Sequence, residues 1–507
     1  MSKKGYPMNK SQRFRKWMIF LLFTFMSWCS CTGSKAFTAD SGLNKEDTVL
    51  EESCNVVEGF KGNTVEAEAI AATISGGGLS GLPNRVNANM GTVGGGVSNQ
   101  AGELGTVSGG FLNAGIGIRA SVGGGGQNTA DRDSTTIGGG YGNSANGSYA
   151  TIGGGTFNTA TEVNATVSGG SGNVAKERHS TVGGGSTNTA AGFAGTIAGG
   201  LNNKAMATYS TVSGGIANIS SRIGATVGGG TGNLANGEDA SVSGGMNNRV
   251  TDNYGTIAGG RWNIAGNSND IPSDAMYVTV GGGAENVARG SFSVVPGGSS
   301  NLAAGDYSFA AGHRAIIYAD HQGAFLYADS KNFDFHSGAA NEFAVRATGG
   351  FRFFTAIDIA GDPSAGARLP SGSGTWESFS DQNAKTLFAT VDRFQILEHL
   401  SRLPITTWSY KTQMPHVRHL GPTAQDFYEV FGLGDDDKYI STVDADGVAL
   451  AAIQALYELI KEKEVQIKTQ QKYIGLMKAD MIALRDQVIS LEGRLAELER
   501  GAPVSKK

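Results

Sequence analysis

Residues 151–165 read TIGGGTFNTATEVNA, and residues 166–180 read TVSGGSGNVAKERHS. In both segments a Thr and then a Val or Ile precede a pair of glycines, an Asn follows the Val or Ile by six residues, and an Ala follows the Asn by two. The Val or Ile recurs every 15 residues from Val107 to Ile257, and an insertion around SNDIPSDAM stretches the next step, to Val280, to 23 residues. The Asn is present in fourteen successive units: Asn99, Asn113, Asn128, Asn143, Asn158, Asn173, Asn188, Asn203, Asn218, Asn233, Asn248, Asn263, Asn286 and Asn301. A fixed period of this kind indicates a solenoid and argues against a flexible glycine-rich linker.

The repeat predicts a mostly β protein with a β-roll or β-solenoid shaft over residues 73–315. Two short strands fit in each unit, with glycines at the corners, where a positive φ or a close backbone approach is needed. The β-branched residue is expected to stack inward on its equivalent in the next coil, and the Asn to hydrogen-bond from coil to coil. About sixteen coils, each rising about 4.8 Å, would give a rod of roughly 75 Å. Because such a core is thin, we expect three chains to associate side by side.

The array resembles the head repeats of trimeric autotransporter adhesins and the shafts of phage tail fibres, in architecture more than in motif. A row of Thr or Ser precedes the inward row and is expected to point outward. Such a row is compatible with binding ice or a cell-surface glycan, with contact to a sister chain, or with a plain β-branched stack.

Composition excludes several classes of protein. The 507 residues include 78 Gly but only 10 Pro, and the glycines cluster instead of recurring at every third position, which excludes collagen. The net charge is −5, so binding to nucleic acid is not expected. Three cysteines cannot form a disulfide framework, and the seven histidines are scattered, so neither a metal site nor a cofactor is predicted.

The N-terminus predicts export. A basic stretch precedes the apolar run WMIFLLFTFMSW at residues 17–28, which is too short to span a membrane as a helix. This pattern is typical of a secretory signal peptide, here residues 1–36, and predicts a secreted or cell-surface protein. A lipid anchor on Cys29 or Cys31 and an uncleaved membrane anchor remain alternatives. The acidic residues 37–72 are expected to form a linker.

The repeat ends near Ala315. Residues 316–375 are rich in Phe and alternate apolar with polar residues, which predicts β-hairpins, followed by a Gly/Pro/Ser-rich linker over residues 361–374. Residues 376–446 are expected to form a small α+β domain, and residues 447–501 a coiled coil.

The C-terminal region contains three motifs in order: SDQNAK from Ser380, HLGPTAQD from His419, and DADGVALAAIQAL from Asp444. Together they closely resemble the C-terminal intramolecular-chaperone domain of phage tailspikes and endosialidases, a self-cleaving serine peptidase domain. The resemblance covers residues 376 to about 460. It implies cleavage between Phe379 and Ser380.

A Ser hydroxyl needs a nearby base to become a nucleophile, and a lysine that is desolvated in a subunit interface can act as that base. The resemblance makes Ser380 the nucleophile and Lys385 its base. It also gives His419 a part in proton transfer or oxyanion stabilisation, with Asp381 and Gln425 orienting the site. The alternative for Ser380 is a helix N-cap, with Asp381 in the first turn of the helix.

The last helix shows seven uninterrupted heptads, typical of a coiled coil. Position a contains Ile453, Ile460, Ile467, Ile474, Met481, Val488 and Leu495, and position d contains Leu456, Lys463, Gln470, Met477, Leu484, Leu491 and Leu498. Several Ile at position a are compatible with a trimer, although heptads alone do not exclude a dimer.

Two functions follow from these expectations. The first is an exported homotrimeric fibre or adhesin whose C-terminal domain assists trimer assembly and then cleaves itself off, as a single-turnover peptidase without an external substrate. The second is a structural or ligand-binding solenoid that its C-terminal domain trimerises without cleavage.

Overall fold

The computed structural model describes residues 55–501, which form two units that divide between Ala347 and Thr348. The predicted signal peptide and the first part of the predicted linker lie outside the described residues. No described helix is long and apolar enough to cross a membrane.

The first unit is a β-solenoid of 19 coils, which confirms the predicted fold class. One parallel sheet contains the odd-numbered strands: β1 Val56–Val57, β3 Thr73–Ile74, β5 Thr92–Val93, β7 Thr106–Val107, β9 Ser121–Val122, β11 Thr136–Ile137, β13 Thr151–Ile152, β15 Thr166–Val167, β17 Thr181–Val182, β19 Thr196–Ile197, β21 Thr211–Val212, β23 Thr226–Val227, β25 Ser241–Val242, β27 Thr256–Ile257, β29 Thr279–Val280, β31 Val294–Val295, β33 Phe309–Gly312, β35 Phe325–Ala328 and β37 Phe343–Arg346. The second parallel sheet contains the even-numbered strands: β2 Thr64–Val65, β4 Arg85–Val86, β6 Gln100–Ala101, β8 Ala114–Gly115, β10 Thr129–Ala130, β12 Ser144–Ala145, β14 Thr159–Ala160, β16 Val174–Ala175, β18 Thr189–Ala190, β20 Lys204–Ala205, β22 Ile219–Ser220, β24 Leu234–Ala235, β26 Arg249–Val250, β28 Ile264–Ala265, β30 Val287–Ala288, β32 Leu302–Ala303, β34 Ala315–Ile317 and β36 Phe335–His336.

The solenoid is longer than the repeat motif indicates. Its first coil begins at Val56, where β1 pairs in parallel with β3, so residues 55–72 are coil and not the linker expected there. Its last coils continue through Arg346, where β37 pairs in parallel with β35. The hairpins expected from residue 316 are therefore parallel coils up to this point. Both extensions lack the Gly-Gly pair of the repeat, although Asn63 of the first coil still takes part in the asparagine ladder.

The core of the solenoid is thin, and each of the two sheets contributes one row of buried side chains to it. Val or Ile side chains from the first sheet and Ala side chains from the second are fully buried, as in Val182 and Ala190. Each stacks on its equivalent in register, so Val182 pairs with Ile197 and Ala190 with Ala205. The Thr row is half-buried on the outer face of the first sheet, as predicted.

The asparagines form the predicted coil-to-coil ladder. Asn188 is fully buried, and its Oδ1 accepts a hydrogen bond from the backbone N–H of Asn203 at 2.9 Å. Its Nδ2 donates to the carbonyl of Gly184 in the same coil, at 2.8 Å, and to that of Gly200 in the next coil, at 2.9 Å. The ladder extends upstream to Asn63 and Asn84, outside the regular motif. One side chain therefore satisfies three corner groups that water cannot reach.

The second unit begins with a three-stranded antiparallel sheet of β38 Gly350–Ile357, β39 Pro363–Pro370 and β40 Glu377–Ser378. Strand β39 lies inside the segment expected to be a Gly/Pro/Ser-rich linker. A 3-10 turn at Gln382–Ala384 follows.

Helices α1 Arg393–Arg402 and α2 Ala424–Phe431 and the beginning of α3, Thr442–Gly501, form a small apolar core. Leu403, Phe427 and Val448 are its buried members. Between α1 and α2, β41 Thr406–Trp408 pairs antiparallel with β42 His419–Gly421.

Helix α3 has 60 residues and begins five residues before the predicted coiled coil. Its apolar a and d side chains are exposed in the single chain beyond the small core; Ile460, Ile474 and Leu491 are examples. A stripe of this kind on a helix of this length is consistent with a coiled coil.

Candidate functional site

The chain before the candidate cleavage site is held as the edge strand of the antiparallel sheet. Within β40, Ser378 pairs with Ala367 of β39, and the Phe379 amide continues the pairing by donating to the Gly366 carbonyl at 2.8 Å. Gly366 has φ +150°, and a Cβ there would lie 2.1 Å from the carbonyl oxygen of Phe353. The sheet thus fixes the backbone up to the Phe379–Ser380 bond, and the strand pairing ends at Phe379. Neither Gly366 nor this strand was predicted, because the surrounding Gly, Pro and Ser have the composition of a loop.

The 3-10 turn brings Lys385 back over Ser380. Asp381 caps the turn, and its carboxylate accepts a hydrogen bond from the Asn383 amide at 2.7 Å. Lys385 ends the turn in an extended conformation, and its Nζ donates to Ser380 Oγ at 2.5 Å. The predicted nucleophile and base are therefore in direct contact. The turn is shorter than the predicted helix, and Asp381, not Ser380, is its N-cap.

Ser380 opens onto a cleft of about 420 Å³ along the edge of the sheet. Arg368 and Glu377 form a cross-strand ion pair at 2.7 Å on its wall. Arg352, Phe354 and Phe379 contribute further lining side chains. The cleft is large enough to admit a water molecule beside the Ser380 hydroxyl.

His419 lies in a different environment. Its Nε2 is 2.9 Å from Gln413 Oε1, and its ring packs against Trp408 and Tyr410 with centroid separations of 4.7 and 5.6 Å. Gln425 is exposed in α2. Within the described chain, neither side chain hydrogen-bonds to Ser380 or Lys385, so the predicted roles of His419 and Gln425 in the site remain predictions.

The site is exposed in the single chain. Ser380 and Lys385 are both accessible to water. Directly after the dyad, Leu387 is 92% exposed, and Phe388 and Val391 are also exposed. Large apolar side chains are therefore exposed directly beside the polar dyad.

Residues 380–433 match a protein-family model described as the chaperone of endosialidase, Peptidase_S74. The match begins at Ser380 and extends past α2. The segment is therefore similar to an intramolecular-chaperone domain of a family related to self-cleaving peptidases, as the sequence motifs indicated. No curated protein is significantly similar to the chain.

Proposed function

We propose that the protein is an exported homotrimeric fibre whose C-terminal domain assists assembly of the shaft and then cleaves the chain once, between Phe379 and Ser380. The contact between Lys385 Nζ and Ser380 Oγ is the observation that carries this proposal. The similarity of residues 380–433 to the chaperone of endosialidase supports the chaperone role.

In the proposed reaction, neutral Lys385 removes the proton from Ser380 Oγ, which attacks the carbonyl carbon of Phe379. The bond from this carbon to the Ser380 nitrogen breaks, and the nitrogen takes up a proton. The resulting ester between Phe379 and Ser380 Oγ is hydrolysed by water to a Phe379 carboxylate and a free Ser380 amine. Nucleophilic catalysis by a serine requires a base in hydrogen-bonding distance, which this geometry provides.

In this proposal, the site becomes active only after the chains have formed a trimer. An amine acts as a base only when it is unprotonated, and burial in an interface favours the uncharged form. Because the dyad and the apolar side chains of Leu387 and Phe388 are exposed in one chain, we infer that sister chains cover them. Cleavage then follows assembly, and loss of the chaperone leaves the shaft kinetically trapped.

The proposal is tested by the mass of the purified full-length chain and of its variants. The wild type is expected to yield a C-terminal fragment of 507 − 379 = 128 residues that begins at Ser380. Ser380→Ala removes the nucleophile and Lys385→Arg keeps the charge but not the base, so both variants should remain intact.

Ser378→Ala is the matched control, because this neighbouring serine lies in β40 and does not hydrogen-bond to Lys385 in the described structure; it should cleave like the wild type. An intact wild-type trimer would instead support the non-cleaving structural or ligand-binding solenoid. A fragment beginning at another residue would show that Ser380 is not the nucleophile.

A further inference from the structure

The longest coil of the shaft, which contains the insertion, covers a buried acid. The insertion lies between β28 and β29 and lengthens this coil to 23 residues. It covers Asp252 of the preceding coil, which is only 1% exposed. The equivalent positions two and three coils earlier are Arg222 and Ala207. Glu103, Glu162 and Glu177 occupy the same position in other coils, but none of them is buried, so it is the burial of the acid that accompanies the insertion.

One oxygen of Asp252 is satisfied and the other is not. Oδ2 accepts hydrogen bonds from Thr251 Oγ1 and from the Asn267 amide, both at 2.9 Å. Oδ1 is buried and has no hydrogen-bond partner. A buried carboxylate oxygen without a partner is unfavourable, and in native proteins it calls for an ion, a proton or an ordered water.

Asn267 hydrogen-bonds to a second carboxylate, that of Asp274, as well as to Asp252. The Nδ2 of Asn267 donates to Asp274 Oδ1 at 2.9 Å, while its backbone N–H donates to Asp252. Asn269 Nδ2 donates to Asp274 Oδ2 at 2.7 Å. One residue thus bridges the two acids and holds them close together at the base of the insertion.

Neither acid is paired with a basic side chain of the described residues, so their charge is not balanced by the protein.

We propose that Asp252 Oδ1 and the Asp274 carboxylate bind a Ca²⁺ ion that fastens the insertion to the preceding coil. Ca²⁺ prefers oxygen ligands and tolerates irregular geometry, whereas Mg²⁺ demands a near-ideal octahedron. No cluster of three or more His, Cys, Asp or Glu suited to a metal occurs among residues 55–501. With only two charged ligands from the protein, the affinity should be weak, about 10⁻⁴–10⁻³ M.

Terbium luminescence tests the site on the full-length chain. Tb³⁺ occupies Ca²⁺ sites, and Tyr254 and Tyr277, close in sequence to the two acids, would sensitise its emission. The wild type should show saturable emission that Ca²⁺ displaces. Asp252→Asn and Asp274→Asn should each weaken Tb³⁺ binding at least tenfold, because each removes one of only two charged ligands.

Asp270→Asn is the matched control, since Asp270 is an exposed acid of the same insertion with φ +67°, a conformation that Asn tolerates. It should bind Tb³⁺ like the wild type. Should Asp252→Asn prevent folding, the exposed Asp274 still provides the test. Emission that is equal in the wild type and in Asp274→Asn would overturn the proposal and leave a proton shared by the two acids as the explanation.

Discussion

At the scale of single residues, the ladder asparagine is the most constrained side chain of the shaft. Replacing Asn188 by Ala removes the acceptor of the Asn203 amide and the donor to the Gly184 and Gly200 carbonyls. Leaving such buried groups unpaired costs about 1–3 kcal/mol. Local opening should rise accordingly, by about 5- to 150-fold, which native-state hydrogen exchange of the Asn203 amide measures.

The control for this prediction is Lys176→Ala, at an exposed position of the preceding coil, which should leave exchange unchanged. Unchanged exchange in Asn188→Ala would mean that water replaces the lost partners. Asn188→Asp should be worse than Asn188→Ala, because a buried carboxylate would face the two glycine carbonyls.

Some structural roles of shaft residues are predictable from the sequence, and others are not. The asparagine ladder was predictable, because a polar residue at a fixed period beside an inward apolar row has few other roles. The residues with left-handed backbone conformation were not predictable. Thr187 and Ala194 have φ of +55° and +52°, although neither is a glycine. Hydrogen bonding along the coils fixes these conformations, and residue propensity gives no signal of them.

At the scale of elements, the corner glycines differ in whether the backbone leaves room for a side chain. Gly200 has φ +92°, and a Cβ there would lie 2.2 Å from the Gly215 carbonyl oxygen and 2.5 Å from Asn203 Nδ2. Nothing lies within 4 Å of a Cβ built on its neighbour Gly199. Gly200→Ala should therefore destabilise the shaft by more than about 2 kcal/mol, through backbone strain and loss of the ladder contact.

Gly199→Ala is the matched control and should be close to neutral. Both variants are compared by denaturant unfolding, followed by circular dichroism of the β signal. Equal destabilisation by the two substitutions would mean that the glycines serve flexibility and not close packing.

Elements without a repeat were harder to predict. The coils over residues 55–72 and 316–346 pair in register with their neighbours, yet their sequences read as a linker and as hairpins, because tertiary stacking and not local pattern keeps them parallel. At the candidate site, the pairing of Ser380 with Lys385 was predictable from spacing and resemblance. The edge strand that presents the Phe379–Ser380 bond was not, since it depends on the long-range partner Gly366.

At the scale of the whole molecule, the apolar a and d stripe of α3 determines whether the chains associate. Ile474 is 52% exposed and Met481 68% exposed in the single chain, although both are large and apolar. A solvated stripe of this length is unfavourable, and burial of each such side chain is worth about 1.5–3 kcal/mol. We therefore expect the intact chain to associate, and to sediment as the trimer proposed above.

The double substitution Ile474→Glu with Met481→Glu places like charges at successive a positions and should give monomers in analytical ultracentrifugation. If sister chains complete the site, the same variant should also remain uncleaved, although Ser380 and Lys385 are unchanged. The control replaces Lys472 and Glu497, which lie at the outward positions f and c, by Ala; it should trimerise and cleave normally. A monomeric variant that still releases the fragment from Ser380 would show that one chain suffices for cleavage. Cleavage would then no longer report completed assembly, and the kinetic trapping of the shaft would need another cause.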